Sequence, residues 1–232
     1  METSHLGPDE WQAVALTLRV AIVAVLGSLP VAIAVAWFLS RVRFPGKILI
    51  EALVSLPLVL PPVVTGYGLL LLLGRHGALG QFLDEKLGIV FAFRWTGAAV
   101  AAAVMGFPFM VRGIRLSFDA IDRDLERAAA SLGASSWLAF LSVTLPLSVP
   151  GILSGALLAF GRSLGEFGAT ITFVSSIPGE TRTISSAIYA LLQTPLGDSA
   201  ALRLCGISIL LSFAALVASE ALIRTGQRRL AR

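Results

Sequence analysis

The sequence predicts an all-α integral membrane protein with about five transmembrane helices, built as one domain over residues 1–232. Three observations predict this class. Charged residues make up 14% of the chain, against about a quarter in soluble domains, and the mean hydropathy is +0.85. Five stretches reach the roughly 20 mostly apolar residues that a spanning helix needs. Lysine and arginine gather at the ends of those stretches, where they set topology.

The first stretch runs from about Val14 to Leu39, with Trp11 and Trp37 as interfacial anchors. The second, from about Ile48 to Leu73, carries Pro57, Pro61 and Pro62 and then Thr65, Gly66 and Gly68. Each proline removes an intrahelical hydrogen bond, so this stretch is expected to kink or break. Non-helical backbone at membrane depth persists only where protein or a water-filled path satisfies it. A kink buried in the bundle and a break lining a pore both meet that condition. The third stretch covers Gly97 to about Val111. The fourth runs from about Leu147 toward Gly168 and is interrupted by Arg162 and Glu166. The fifth covers Ala201 to Ile223. Between the last two lies a long outer segment whose apolar part, Ile184 to Leu192, is too short to cross and reads as a re-entrant or interfacial helix.

If the spans alternate, one side holds Arg41, Arg43, Lys47, Arg112, Arg115, Arg123, Arg127, Arg224, Arg228, Arg229 and Arg232. The other holds Arg75, Lys86, Arg94, Arg182 and Arg203. Eleven against five over short loops puts the first side in the cytoplasm. The N-terminus is then expected outside and the C-terminus inside.

The same residues exclude other classes. A net charge of +4 does not indicate nucleic acid, because the positive residues sit at span ends. Cys205 is the only cysteine, which rules out an intrachain disulfide and a multi-cysteine zinc site. His5 and His76 lack ligand-like neighbours, so no metal is expected. Gly46-Lys47 is followed by Ile48 and lacks a phosphate-cradling loop; no cofactor is expected in this chain, and any ATP must be bound by another. The region before the first span has no Lys or Arg through residue 18, and the apolar stretch is too long for a signal peptide, so no cleaved leader is expected.

The connection within residues 117–147 carries the most information. Ile121, Leu125, Ala128, Ala129 and Leu132 recur as one helical stripe. Asp119 or Asp122 suits its N-cap and Gly133 its left-handed C-cap. A second short helix begins at Ser135 or Ser136 and carries Trp137, Phe140 and Leu141, and Pro146 then introduces the fourth span. The pattern fits an amphipathic unit lying on lipid and, equally, a docking site for a cytoplasmic partner.

The run Glu126-Arg127-Ala128-Ala129-Ala130-Ser131-Leu132-Gly133, with Val143, Leu145 and Pro146 after it, resembles the EAA loop of ABC importer permeases. Five further segments are similar to those of the molybdate permeases: PDEWQAV from Pro8, FPGK from Phe44, LPLVLPPVV from Leu56, SLGEFGAT from Ser163 and IPGETRTI from Ile177. The resemblance implies a type I ABC importer permease (MetI-like) fold and a bacterial inner-membrane location. It implies ATP-driven import of molybdate, with tungstate or sulfate/thiosulfate as the alternative anions. It also implies a second copy of the chain, two cytoplasmic subunits that bind ATP and Mg, a periplasmic oxyanion-binding protein and surrounding membrane lipid as partners. ATPase coupling would fall to Leu125, Glu126, Ala128, Ala129, Gly133, Leu145 and Pro146. Arg127 stands at the usual glutamate position of the loop, with Glu126 one residue earlier.

Candidates for the translocation path or gate follow from the interrupted spans. Pro61, Pro62 and Thr65 mark the broken second stretch. Arg162 and Glu166, spaced i, i+4 around Ser163 and Gly165, are an ionisable pair at membrane depth, where such residues are costly and mark function. A bare carboxylate would repel an anion, so Glu166 is expected to serve structure or gating through Arg162. Gly161, Gly165 and Gly168 suit close helix approach across a dimer axis. Thr181, Arg182 and Thr183 are candidates to receive the anion, or form a solvated loop. A membrane enzyme would need a convergent acid, base, nucleophile or metal group, and none assembles. A stand-alone channel has no use for a motor-docking helix.

Overall fold

The computed structural model describes residues 7–195 and 197–230, without the side chains at 222, 223 and 225–230. The sequence expectations for His5, Arg228, Arg229 and Arg232 lie outside this description.

Helix α1 (Pro8–Arg41) contains the first predicted span and extends it at both ends. It is entered from Gly7, whose N–H donates to Glu10 Oε2 at 2.5 Å, with Pro8 in its first turn, where the missing N–H costs nothing. The second stretch is two helices, α2 (Lys47–Val59) and α3 (Pro62–Leu73), bent by 112° at Leu60 and Pro61. This is a break rather than a kink, because adjacent prolines at 61 and 62 remove two donors and push the residue before each out of helical geometry. Amphipathic α4 (Ala78–Leu87), closed by left-handed Gly88 after Lys86, was not expected from hydropathy. Its end signals are nevertheless in the sequence.

Helix α5 (Trp95–Ala120) outruns its predicted end at Val111. Arg112 and Arg115 do not stop it, because they find partners on α2: Ser55 at 3.0 Å and Glu51 at 2.8 Å. Short α6 (Arg123–Ser131) and α7 (Ser136–Ala139) follow, and the chain then passes through a π turn (Phe140–Thr144) into α8 (Leu145–Leu164). Pro146 therefore sits within a continuous helical path and does not open a separate span. The wider turn places the Leu145 N–H on the Phe140 carbonyl, the i→i+5 bond of a π bulge. The outer segment holds α9 (Gly168–Val174) and α10 (Ile184–Leu191), and α11 (Asp198–Leu230) ends the description.

Four helices are long and apolar enough to cross a membrane, and the bent α2–α3 pair makes a fifth crossing if counted as one. Helix α5 is central. Its small residues Ala98, Ala99, Ala101 and Ala102 are fully or almost fully buried against α1, α8 and α9, so backbones approach closely and dispersion replaces the hydrophobic drive that lipid does not supply. One core cluster lies around Ala102 and Phe173, a second around Ile114 and Phe118, and a third ties α1 to α10 and α11 through Val14, Ile184 and Leu204. Arg19, inside the first span, lies 3.8 Å from the Trp95 ring centre, a cation–π contact at the start of α5.

The tightest joint is between α3 and α9. A Cβ on Gly66 would lie 2.5 Å from the Ala169 carbonyl oxygen, and one on Gly168 would lie 2.7 Å from Pro62 Cβ. Gly168 thus serves a close contact within the chain. A Cβ on Gly161 would meet Ala215 at 3.8 Å, and one on Gly165 would meet nothing within 4 Å among the described residues. Substituting Gly66 by Val is expected to destabilise the fold by about 1–3 kcal/mol through overpacking against backbone. Gly68→Ala, which meets nothing within 4 Å, is the control. Monodisperse yield in detergent on heating checks this; equal loss in both variants would place the effect outside the joint.

Candidate functional site

At the end of the bundle that carries α6, Asp122 caps that helix by accepting from the Asp124 N–H at 2.9 Å. Asp119, the other cap candidate, instead accepts from Ser40 at 2.5 Å and pairs with Arg115 at 3.5 Å. Gly133 adopts φ +88. Its N–H reaches the Ala130 carbonyl and the Ala134 N–H reaches the Ala129 carbonyl, each at 3.0 Å. These two bonds form a Schellman turn that reverses the chain into α7, capped by Ser135 at 3.3 Å.

Helix α6 has two opposed faces. At about 100° per residue, Leu125, Ala128 and Leu132 fall on one side and Arg123, Glu126, Arg127 and Ala130 on the other. Leu125 is 48% exposed and Leu132 90%, and Ala128 is also exposed. Ile121, expected on the same stripe, precedes α6 and is buried in the core, where it closes α5. Trp137, Leu138 and Leu141 extend the exposed apolar surface beyond the turn.

Glu126 belongs to the anchoring face. Its Oε1 accepts from Arg41 at 2.6 Å and from the Thr144 hydroxyl at 2.5 Å. One carboxylate thereby ties α6 to the end of α1 and to the π turn. Thr144 is 1% exposed. Sequence reading missed Arg41 and Thr144 as members of this site, since neither spacing nor charge links residues 85 and 18 positions away from Glu126. Leu145 and Pro146 lie directly beyond Thr144 and fix the start of α8.

At membrane depth, α8 stops at Leu164, so Glu166 is not on the helix that carries Arg162. The two still pair, at 2.8 Å, across the helix end. Glu166 is 3% exposed, and its Oε1 accepts the Ala169 N–H at 2.8 Å. A carboxylate on the first turn of α9 satisfies an otherwise orphaned donor. Ser163 is buried, with its hydroxyl on the Ala159 carbonyl at 2.8 Å, and Gly165 forms the cap between helix and break. Across the joint, the N-cap Pro61 and first residue Pro62 start α3, and the Thr65 hydroxyl is buried without a partner among the described residues. The structure therefore brings Pro62, Gly66, Glu166 and Gly168 to one joint where both broken helices restart.

The outer trio divides. Thr181 is fully buried and its hydroxyl accepts the Ile177 N–H at 2.9 Å, so it closes a turn. Thr183 is buried at the start of α10. The first N–H of that helix donates to Thr17 of α1 at 2.8 Å. Arg182 alone borders an open recess, with Asp9, Gln12 and Gly179. No group of His, Cys, Asp or Glu suited to a metal ion occurs among the described residues.

A bundle of broken spans carrying an exposed helix–turn–helix at one end is the architecture of a membrane permease domain. The chain belongs to the family described as binding-protein-dependent transport system inner membrane component, whose sequence profile matches residues 28–225. It is thus a multi-pass inner-membrane protein of a transport system. It is 58% identical over 227 residues to the molybdenum transport system permease protein ModB of Escherichia coli K12, covering 98% of this chain and 99% of that one. To the protein of the same name in Haemophilus influenzae it is 52% identical, covering 95% and 96%. A sulfate transport system permease protein, CysT of E. coli, is more distant at 37%, covering 89% and 75%. A solved bacterial alginate ABC transporter, in complex with an alginate pentasaccharide-bound periplasmic protein, matches with a TM-score of 0.68 at 20% identity, covering 97% of this chain and 80% of that one. At that identity the likeness establishes the fold alone.

The geometry makes the Arg162–Glu166 pair testable. Arg162→Leu leaves a buried carboxylate uncompensated, which costs about 3–5 kcal/mol for a buried pair. The low end applies because the Arg162 side chain retains 28% exposure. Arg162→Leu/Glu166→Gln removes the charge but keeps an oxygen for the Ala169 N–H, and is expected to recover most of the folded yield. Thermal unfolding of the purified variants checks this; a double variant no more stable than the single one rules out the pairing.

Proposed function

We propose that this chain is the permease subunit of an ATP-driven ABC importer for molybdate. What supports the substrate is the high identity to two molybdenum permeases over nearly their whole lengths, set against the lower identity to a sulfate permease. The observation that carries the mechanism is the outward face of α6. Leu125, Ala128 and Leu132 stand exposed on a helix whose opposite face is locked to the bundle by Glu126.

In this reading two copies of the chain pair in the membrane, and each α6–Gly133–α7 unit enters a cytoplasmic ATP-binding subunit. ATP and Mg reside on those subunits. Their closure pushes α6, and Glu126 passes the push to α1 through Arg41 and to α8 through Thr144. The α3–α9 joint, where two broken helices restart at membrane depth, forms the path or gate together with Arg162. A periplasmic binding protein delivers the anion to the outer end, near Arg182, and supplies most of the discrimination. Separating similar oxyanions requires donors that fit one and stay unpaired with the other, and this path offers few convergent donors.

Proteoliposomes holding the chain, its ATPase subunits and its binding protein are expected to accumulate molybdate only with ATP, and to prefer it over sulfate. Ala128→Trp places bulk on the exposed face without touching the core. It should insert and fold normally while abolishing uptake and co-purification of the ATPase. Full uptake by Ala128→Trp would remove α6 as the docking helix.

The orientation is tested separately. In a Cys205→Ala background, cysteines at Ser131 and Glu180, both exposed at opposite ends, should react with an impermeant thiol reagent from opposite faces. Glu180→Cys labels in intact spheroplasts and Ser131→Cys only after lysis. The reverse pattern would invert the topology.

A further inference from the structure

The anchoring face of α6 does not close against α1. It borders a charged cleft, walled by Arg41, Arg123, Glu126 and Arg127, that runs on into an apolar groove lined by Pro30, Ala34 and Ile50. Trp37, Ser136 and Phe140 line both parts, so a polar mouth and an apolar floor adjoin at these residues. The apolar arm encloses ≈ 890 Å³, near the top of the about 300–1,000 Å³ usual for ligand sites.

We propose that this depression is a binding site for an anionic phospholipid of the leaflet at the inner end, its headgroup in the arginine mouth and an acyl chain along α1. Four observations carry it. The first is length: from Pro30 to Arg41 the depression follows α1 for about 16 Å at 1.5 Å per residue, which is close to one leaflet, about half of the 30 Å hydrocarbon core.

The second is charge. Three arginines and Glu126 line the mouth; Glu126 answers Arg41 and Asp124 answers Arg127, so Arg123 leaves it net positive, and basic pockets at the inner membrane surface select anionic headgroups. The third is unused donor capacity. Arg123 makes no hydrogen bond or ion pair among the described residues, and Arg41 keeps its Nε–H buried without an acceptor although its guanidinium holds Glu126. The fourth is the placing of Trp37, a residue suited to headgroup level, where the apolar and charged parts meet.

On α6 the site and the docking face are separate, while Trp137 of α7 borders both. Arg123, Glu126, Arg127 and Ala130 line the cleft, whereas Leu125, Ala128 and Leu132 lie about 180° around α6. A lipid seated behind α6 would brace the helix from the bundle side while its outer face stays free. The proposal relies on the orientation read above only to name the leaflet. Lipid selectivity in reconstituted protein does not depend on that orientation, nor on the transported substrate.

The experiment uses tryptophan quenching in nanodiscs. The full chain carrying Trp11→Phe and Trp95→Phe keeps Trp37 and Trp137, both of which line the groove. Phosphatidylglycerol brominated on its acyl chains is expected to quench them at about tenfold lower mole fraction than brominated phosphatidylcholine. Arg123→Gln/Arg127→Gln should bring the two curves within about twofold, and Arg123→Lys/Arg127→Lys should restore the preference. Soluble glycerol phosphate should not compete, which separates a lipid from a free phosphate ester. Ala34→Phe, which fills the groove without altering the mouth, should weaken quenching by the anionic lipid and leave the phosphatidylcholine curve in place. Equal quenching by both lipids in the parent protein means ordinary boundary lipid and overturns the proposal. So does loss of anionic-lipid quenching of Trp37, read with Trp137→Phe added, when the ATPase subunits bind, which would assign the cleft to a protein interface.

Discussion

Lipid offers the backbone no hydrogen bonds, so every N–H and C=O released by a helix break at membrane depth must be met by the protein or by a water-filled path. This constraint organises the centre of the molecule. Two breaks, at Leu60–Pro61 and at Gly165–Phe167, are set against one another. The first uses proline, which has no N–H to lose. The second uses Glu166, whose carboxylate takes up the Ala169 N–H and is itself held by Arg162. The absence of a Cβ at Gly66 and Gly168 lets the restarted helices come together. A costly buried charge is thus tied to a backbone need, which accounts for an ion pair in a region that otherwise avoids charge.

The inner end solves a different problem with similar means. A surface helix offered to a partner must be exposed on one face and immobile on the other. Glu126 provides the immobility by joining α6 to α1 and to the π turn, and the Schellman turn at Gly133 fixes where the chain reverses. Arg127, at the position usually held by glutamate, instead pairs with Asp124 at 2.6 Å, with both side chains about three-quarters exposed. Such an exposed pair contributes little to stability. The tie to α1 and to the π turn is made by the neighbouring Glu126.

Much of this was legible in the sequence because membrane helices announce themselves by hydropathy and their ends by charge. The five stretches, the Asp122 cap, the Gly133 turn and the short apolar helix from Ile184 all follow from such local signals. The misses share a cause. The extension of α5 past Arg115 and the partners of Arg41 and Asp119 depend on residues distant in sequence. A threonine in a polar loop reads as solvated whether it faces water or, as Thr181 does, accepts a backbone N–H in a buried turn. Continuity of α7 into α8 was hidden for another reason: Pro146 signals a helix start unless a π bulge precedes it.

Helix α1 runs unbroken for 34 residues, about 51 Å, well beyond the thickness of the hydrocarbon core. It is clasped at both tips: Arg41 holds Glu126 at 2.6 Å at one, and Glu10 holds Arg203 at 3.1 Å at the other. Between the clasps it is buried along one side at Val20, Ala24, Ala32 and Ala36, against α5 and α8. A tilt of about 10° around its midpoint would carry each tip by about 4 Å in opposite directions. Movement imposed at one clasp would therefore reappear, reversed in sense, at the other, with the packed residues near the pivot displaced least.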